Sequence, residues 1–186
     1  MRKPTKAEIE AAEGKSIPDV IAPGLKVLFC GYNPGLYSGA VGHHFARPGN
    51  RFWPTLYAAG LTERVLAPDE EAEFLNHGFG LTNFVTRATA RADALSKAEL
   101  IEGRHQLEAK VRRYRPQTVA VLGIGAFRTA FGRQTVSLGR QPERFGEAIL
   151  WVLPNPSGLN AHYPPKMLAE LFQQLRMAVE DGFGRD

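Results

Sequence analysis

Apolar residues along this chain keep two rhythms. Short, nearly continuous runs end on glycine or a polar loop: Lys26–Gly31 (KVLFCG), Gly80–Val85 (GLTNFV), Gln117–Gly123 (QTVAVLG) and Ile149–Leu153 (ILWVL). Such runs suit strands buried on both faces. Between them, apolar residues recur three and four apart, the spacing of one helix face. Ser96-Lys97-Ala98-Glu99 is a capping box, and the helix it opens is expected to reach about Tyr114 with Leu100, Leu107 and Val111 on one side. A final helix is expected from Pro165 to about Val179, carrying Leu168, Leu171, Phe172 and Leu175. Shorter helices are predicted over Asn50–Ala59, starting late because of Pro54, over Asp69–Asn76 with acids in its first turn, and over Ala126–Phe131. Residues 1–20 are polar, with a short helix over Lys6–Glu13, and read as a mobile arm. Residues 21–180 form one expected domain and 181–186 a tail.

Strands alternating with helices predict an α/β fold whose parallel sheet carries helices on both faces. In such sheets ligands sit beyond the carboxyl ends of the strands. The loops after Gly31, Val85, Gly123 and Leu153 are therefore where chemistry is expected.

Composition narrows this picture only slightly. The 186 residues fit one domain, and 44% hydrophobic with 23% charged residues is the balance of a soluble protein. No apolar run is long enough to span a bilayer. The basic start Met1-Arg2-Lys3-Pro4 has no apolar core behind it, so no secretory signal is expected. The single cysteine, Cys30, excludes an intramolecular disulfide and a cysteine-based metal cluster, and a cytoplasmic location is the expectation. A net charge of +4 and a pI of about 9.4 favour a polyanionic partner without identifying one.

Two of the four loops share a pattern. The first strand runs into Gly31-Tyr32-Asn33-Pro34-Gly35 and the fourth into Pro154-Asn155-Pro156-Ser157-Gly158-Leu159-Asn160. Proline holds the asparagine before it in extended geometry, and glycine lets backbone approach a ligand. A carboxamide is both donor and acceptor, so it reads a heterocycle edge or holds a water. Asn-Pro also simply starts turns, but two such turns at one sheet edge ask for more than that.

GYNPG after a strand, FARPGNRFW some ten residues on, and LPNPSGLN near the end together resemble the mismatch-specific uracil-DNA glycosylases, relatives of thymine-DNA glycosylase. The resemblance runs from about Ile21 to about Val179. It implies a single-domain three-layer α/β/α fold with a central, mainly parallel sheet. It also implies DNA repair: excision of uracil, thymine or related pyrimidines opposite guanine in double-stranded DNA, without cofactor or metal, by a monomer acting at the nucleoid. By the same resemblance Asn33 holds the attacking water and Phe45 stacks on the flipped base. Tyr32, Ser38 and Asn155 line the base pocket, and Gly39 and Ala40 leave it permissive. Leu159 is the wedge that fills the emptied helix, with Ser157, Gly158 and Asn160 around it on the DNA. Strict uracil enzymes of this kind carry Asp in the first motif and His in the second. Asn33 and Asn155 stand there instead, which implies slower chemistry and looser base choice.

An amide orients water but takes no proton at neutral pH, so a carboxylate is sought nearby. Asp93 is the only acid in the loop after the second strand and is expected to activate water or support the sugar cation; a salt bridge to Arg91 or Arg87 is the plainer role. Arg47, Arg51 and Arg91, with Arg87 and Lys166, flank the loops and are expected at phosphates, where binding weakens with salt. Asn83 lies where some relatives have lysine, and its contact with substrate is left open. His43, His44 and His162 lack the acidic partners of a metal site. Gly123-Ile124-Gly125 follows a strand but lacks the third glycine of a dinucleotide site, and no Gly-x-Ser-x-Gly elbow exists. Two other readings remain: a nucleotide-binding α/β enzyme, and a mismatch or lesion sensor that binds without cleaving.

Overall fold

In a computed structural model of the protein, which describes residues 1–182, neighbouring residues of each central strand point to opposite faces. Five strands form one sheet in the order β2-β1-β3-β5-β4: β1 (Val27–Gly31), β2 (Phe79–Asn83), β3 (Thr118–Leu122), β4 (Gly139–Phe145) and β5 (Ala148–Leu153). All neighbouring pairs are parallel except β4 with β5. Val27 and Phe29 enter one core with Ala120, Leu122, Trp151 and Leu153, while Leu28 and Cys30 enter the other with Val119, Val121, Leu150 and Val152. That two-residue period is why the strand sequences are apolar throughout.

Helices α3 (Phe52–Ala58) and α6 (Pro165–Glu180) cover the first face, with Phe29 packed among Phe52, Phe74 and Phe172 at ring-centroid distances of 5.6, 5.8 and 6.1 Å. Helices α4 (Lys97–Tyr114) and α5 (Ile124–Phe131) cover the second. The Ser96 capping box forms as expected, Ser96 Oγ accepting from Glu99 N and the Glu99 carboxylate from Ser96 N. The α/β/α architecture with a mainly parallel sheet is thus the observed one.

Four features depart from the sequence reading. Strand β4 was not expected, because an edge strand buries one side only: Gln141 and Phe145 are buried, while Arg140, Pro142 and Arg144 face outward or lie at the rim. Its pairing breaks register between Arg140 and Arg144, around the proline that edge strands tolerate. Helix α2 (Leu36–Val41) follows the first Asn-Pro loop and ends at Gly42, whose φ of 79° is left-handed. Residues Pro68–His77 wind as 3-10 turns rather than an α-helix, a period that sets the buried pair Glu71 and Phe74, three apart, on one side. The short helix expected within residues 1–20 forms as α1 (Lys6–Glu10), but this segment, expected as a mobile arm, lies against the body: Ala12 and Ile17 are buried, Val20 bridges Leu81, and Asp19 binds Thr82 Oγ1 and Lys110 Nζ. The expected tail begins at Asp181 and Gly182; its remaining residues, 183–186, lie outside the described residues.

Candidate active site

The carboxyl ends of the parallel strands open into a cavity of about 560 Å³. Gly31 to Gly35 line it from β1, Asn83 and Thr89 to Asp93 from β2, Leu122 from β3, and Asn155, Ser157 and Leu159 from β5. Asn33 and Leu159, from opposite ends of the sequence, thus share one cavity because β1 and β5 both neighbour β3. The first two loops are stitched together by Phe84 N to Gly31 O, Val85 N to Tyr32 O and Thr89 N to Pro34 O, at 3.0, 3.0 and 3.1 Å.

Asn33 is oriented by that stitching. Its Nδ2 donates to Thr89 Oγ1 at 2.8 Å, to Arg87 O at 3.0 Å and to Pro34 O at 3.1 Å. The Thr89 hydroxyl proton is itself committed to Arg91 O at 2.8 Å, so Thr89 Oγ1 faces Asn33 as an acceptor. The amide nitrogen must point into the loop, leaving Oδ1 without a protein partner among the described residues.

Phe45 lies face to face with Phe52, centroids 4.1 Å apart, and lines the cavity. Its φ of 53° is left-handed, a strained setting for an aromatic residue and one that clusters at binding sites. Ser38 Oγ holds the next residue by accepting from Ala46 N at 3.1 Å. Gly31 makes room here: a Cβ at that position would lie 2.6 Å from Asn83 Oδ1 and 3.4 Å from the Phe45 ring. Asn83, the register neighbour of Gly31, is buried and aimed at the same space. Its Nδ2 lies 3.4 Å from Nδ1 of the buried His44, whose Nε2 lies 3.0 Å from Pro18 O. The expected openness from Gly39 and Ala40 is corrected: neither lines the cavity, and Gly39 instead lets α2 close on Ala88 and Ala12.

The second Asn-Pro loop is braced from within. Asn155 Oδ1 accepts from Ser157 N at 3.0 Å, which leaves Asn155 Nδ2 without a protein partner among the described residues. Asn160 Nδ2 donates to Asn155 O at 3.1 Å, and Leu159 N donates to Ser157 Oγ at 3.3 Å. Gly158 presses on the turn before α3, where a Cβ would collide with the Gly49 carbonyl. Arg51, expected at phosphates, has its Nη atoms on the carbonyls of Ser157, Asn160 and Tyr163, and so clamps this loop to α3. Above this bracing the Leu159 side chain stands 77% exposed at the cavity rim.

Asp93 lies on the cavity wall in a 3-10 turn, Ala92–Ala94. It is exposed and paired with Arg91, Nη2 to Oδ2 at 2.6 Å, and the guanidinium hydrogen bond holds its carboxyl below the usual range. Arg47 is exposed at the rim. Arg87 is instead bound to Glu99 at 2.7 Å. His43 Nδ1 pairs with Glu71 at 2.9 Å. The Tyr32 ring and hydroxyl lie over Gly123 and Gly125, where added Cβ atoms would sit 3.5 and 3.3 Å away, so these glycines accommodate an aromatic ring. Thr89, the clamp role of Arg51 and the His44–Asn83 pair had no signal in spacing or motif, because each depends on loops from distant segments meeting.

The result is a cleft with an aromatic wall, the outward amide oxygens of Asn33 and Asn83, the outward amide nitrogen of Asn155, a carboxylate and a bare leucine at its lip. A model of the uracil DNA glycosylase superfamily matches residues 18–176, the whole of the sheet and all four of these loops. The chain belongs to the uracil DNA glycosylase superfamily.

Proposed function

We propose that the protein flips uracil, and thymine or related modified pyrimidines, mispaired with guanine out of duplex DNA and hydrolyses the N-glycosidic bond, leaving an abasic site. This makes it a monofunctional glycosylase of the mismatch-specific type, working as a monomer. Superfamily membership supports a DNA glycosylase hydrolase in general. The observation carrying the finer reading is that Asn33 Oδ1, Asn155 Nδ2 and the exposed Leu159 surround one cavity.

Extruding a base requires unstacking and unpairing it, and the gap must then be held open. Leu159 does this as an apolar wedge with no sequence preference, on a loop that Arg51 and Asn160 keep from yielding. Gly158 and Asn160 present backbone groups to the orphaned guanine. The base stacks on Phe45, with Ser38 and the Tyr32 backbone beside it. Asn83 Oδ1 accepts from N3–H, and Asn155 Nδ2 donates to O2, where negative charge grows as the bond breaks.

The C1′–N1 bond breaks with its electron pair passing to the base, and the water held by Asn33 Oδ1 adds to C1′. One water proton is then released to solvent or to the departing base. Asp93, ionised at neutral pH, supports the cationic sugar or takes that proton. A catalyst with amides at both motif positions is slow, so it acts where extrusion is cheapest, at mispaired bases. That is the physical case for mismatch preference.

Fluorescent duplexes carrying U:G, T:G or U:A, and single-stranded uracil, treated with alkali, test this. Alkali-labile product is expected fastest from U:G and slower from U:A; tight binding without release would make the protein a sensor. Asp93→Asn is expected to lower single-turnover excision from U:G by about tenfold or more. Because Asp93 is exposed, the fold is not at stake, and an unchanged rate would leave it a surface ion pair.

A further inference from the structure

Asn83 ends β2 with its carboxamide over Gly31, and a carboxamide in that place reads opposite base edges in its two orientations. With Oδ1 outward it accepts from the N3–H of uracil or thymine. Turned over, it donates to the bare N3 of cytosine. Something must decide between them, and among the described residues Asn83 has one side-chain partner, His44.

The His44 tautomer follows from its other neighbour. Nε2 lies 3.0 Å from the Pro18 carbonyl, which only accepts, so Nε2 carries the proton. Pro18 is fixed in turn, since the adjacent Asp19 is bound to Thr82 Oγ1 at 2.8 Å and to Lys110 Nζ at 2.6 Å. A neutral imidazole has one N–H, so Nδ1 is a lone pair and requires a donor from Asn83. Burial pushes the His44 imidazole below its ordinary range against the opposing pull of Glu71 and Asp19, and Lys110 adds to the lowering. Glu71 also fixes the His44 backbone, accepting its N–H at 2.8 Å.

We propose that His44, locked by Pro18 in its Nε2–H tautomer, is a positioning residue that holds Asn83 with Oδ1 toward the base, and that this relay selects uracil-type over cytosine-type bases. The inference rests on the reading that Asn83 faces the flipped base.

Two substitutions separate the two ends of the imidazole. His44→Gln places an amide near Nε2 and keeps a donor for Pro18 but loses the acceptor for Asn83. His44→Asn places its amide near Nδ1 and keeps that acceptor. The measurement is the ratio of dissociation constants for two uncleavable duplexes, carrying 2′-fluoroarabino-deoxyuridine or 2′-fluoroarabino-deoxycytidine opposite an abasic site, so that neither base starts paired. The wild type is expected to favour the uracil duplex by about tenfold or more, because the outward Oδ1 is paired by the N3–H of uracil and left unpaired against the bare N3 of cytosine. His44→Gln, which has no acceptor for Asn83, should erase that ratio, and His44→Asn, which keeps the acceptor but not the Pro18 anchor, should lower it by less.

If both variants keep the ratio, or if His44→Asn loses it as fully as His44→Gln, the relay is wrong. Asn83→Ala is the separate control: an unchanged ratio there removes the underlying reading, whereas a lost ratio with His44→Gln intact removes the relay alone. Should either histidine variant fail to fold, 15N NMR of the wild-type imidazole decides, since a proton on Nδ1 at neutral pH overturns the proposal.

Discussion

Asn33→Ala is expected to lower the single-turnover rate of uracil excision from a U:G duplex by about 10²-fold, the scale of misplacing a reacting group. The loss is expected in the chemical step, because in the proposed reading Asn33 Oδ1 holds the water and not the base. Binding of a duplex with uncleavable 2′-fluoroarabino-deoxyuridine therefore stays near the wild-type value. A rate indistinguishable from wild type would show that the water is held elsewhere. The same loop explains why an amide suits this position. Nδ2 is met by two carbonyl oxygens and by a threonine hydroxyl that gives its proton to a third carbonyl. A carboxylate in its place would set oxygen against oxygen unless Thr89 turned its hydroxyl and the two carbonyls withdrew.

Leu159→Ala is expected to have its large effect on duplex substrate alone. Holding a step open without the wedge forfeits part of an unstacking free energy of a few kcal/mol, so excision from U:G falls by about 10²-fold. Uracil in a single strand needs no wedge, and its rate is expected to be unchanged. Equal loss on both substrates would mean that Leu159 packs on the base itself. The side chain is 77% exposed, so truncating it removes no core packing and the comparison is clean.

Sequence reading reached the strands because β1, β3 and β5 are buried on both faces, which forces an unbroken apolar run. It reached the paired loops because Asn-Pro restricts geometry within two residues and is visible at that range. It missed β4, whose half-exposed, proline-containing edge carries little apolar signal, and the 3-10 winding of Pro68–His77. Arg51 shows a different kind of limit. As a sequence element it is one more cation near the second Asn-Pro loop, and only the approach of residues 157–163 to α3 makes it a clamp on three carbonyls.

By itself the sequence determined the α/β class and the sheet edge where the Asn33 and Asn155 loops meet, since strand burial and turn stiffness are local properties; Phe45 and Leu159 were expected there from the resemblance of their motifs. The tertiary structure decided which end of each amide faces the cavity. A carboxamide has no preferred direction of its own, and its orientation is set by donors and acceptors brought from distant segments: Thr89 and Arg87 for Asn33, Ser157 for Asn155, and His44 with Pro18 behind it for Asn83.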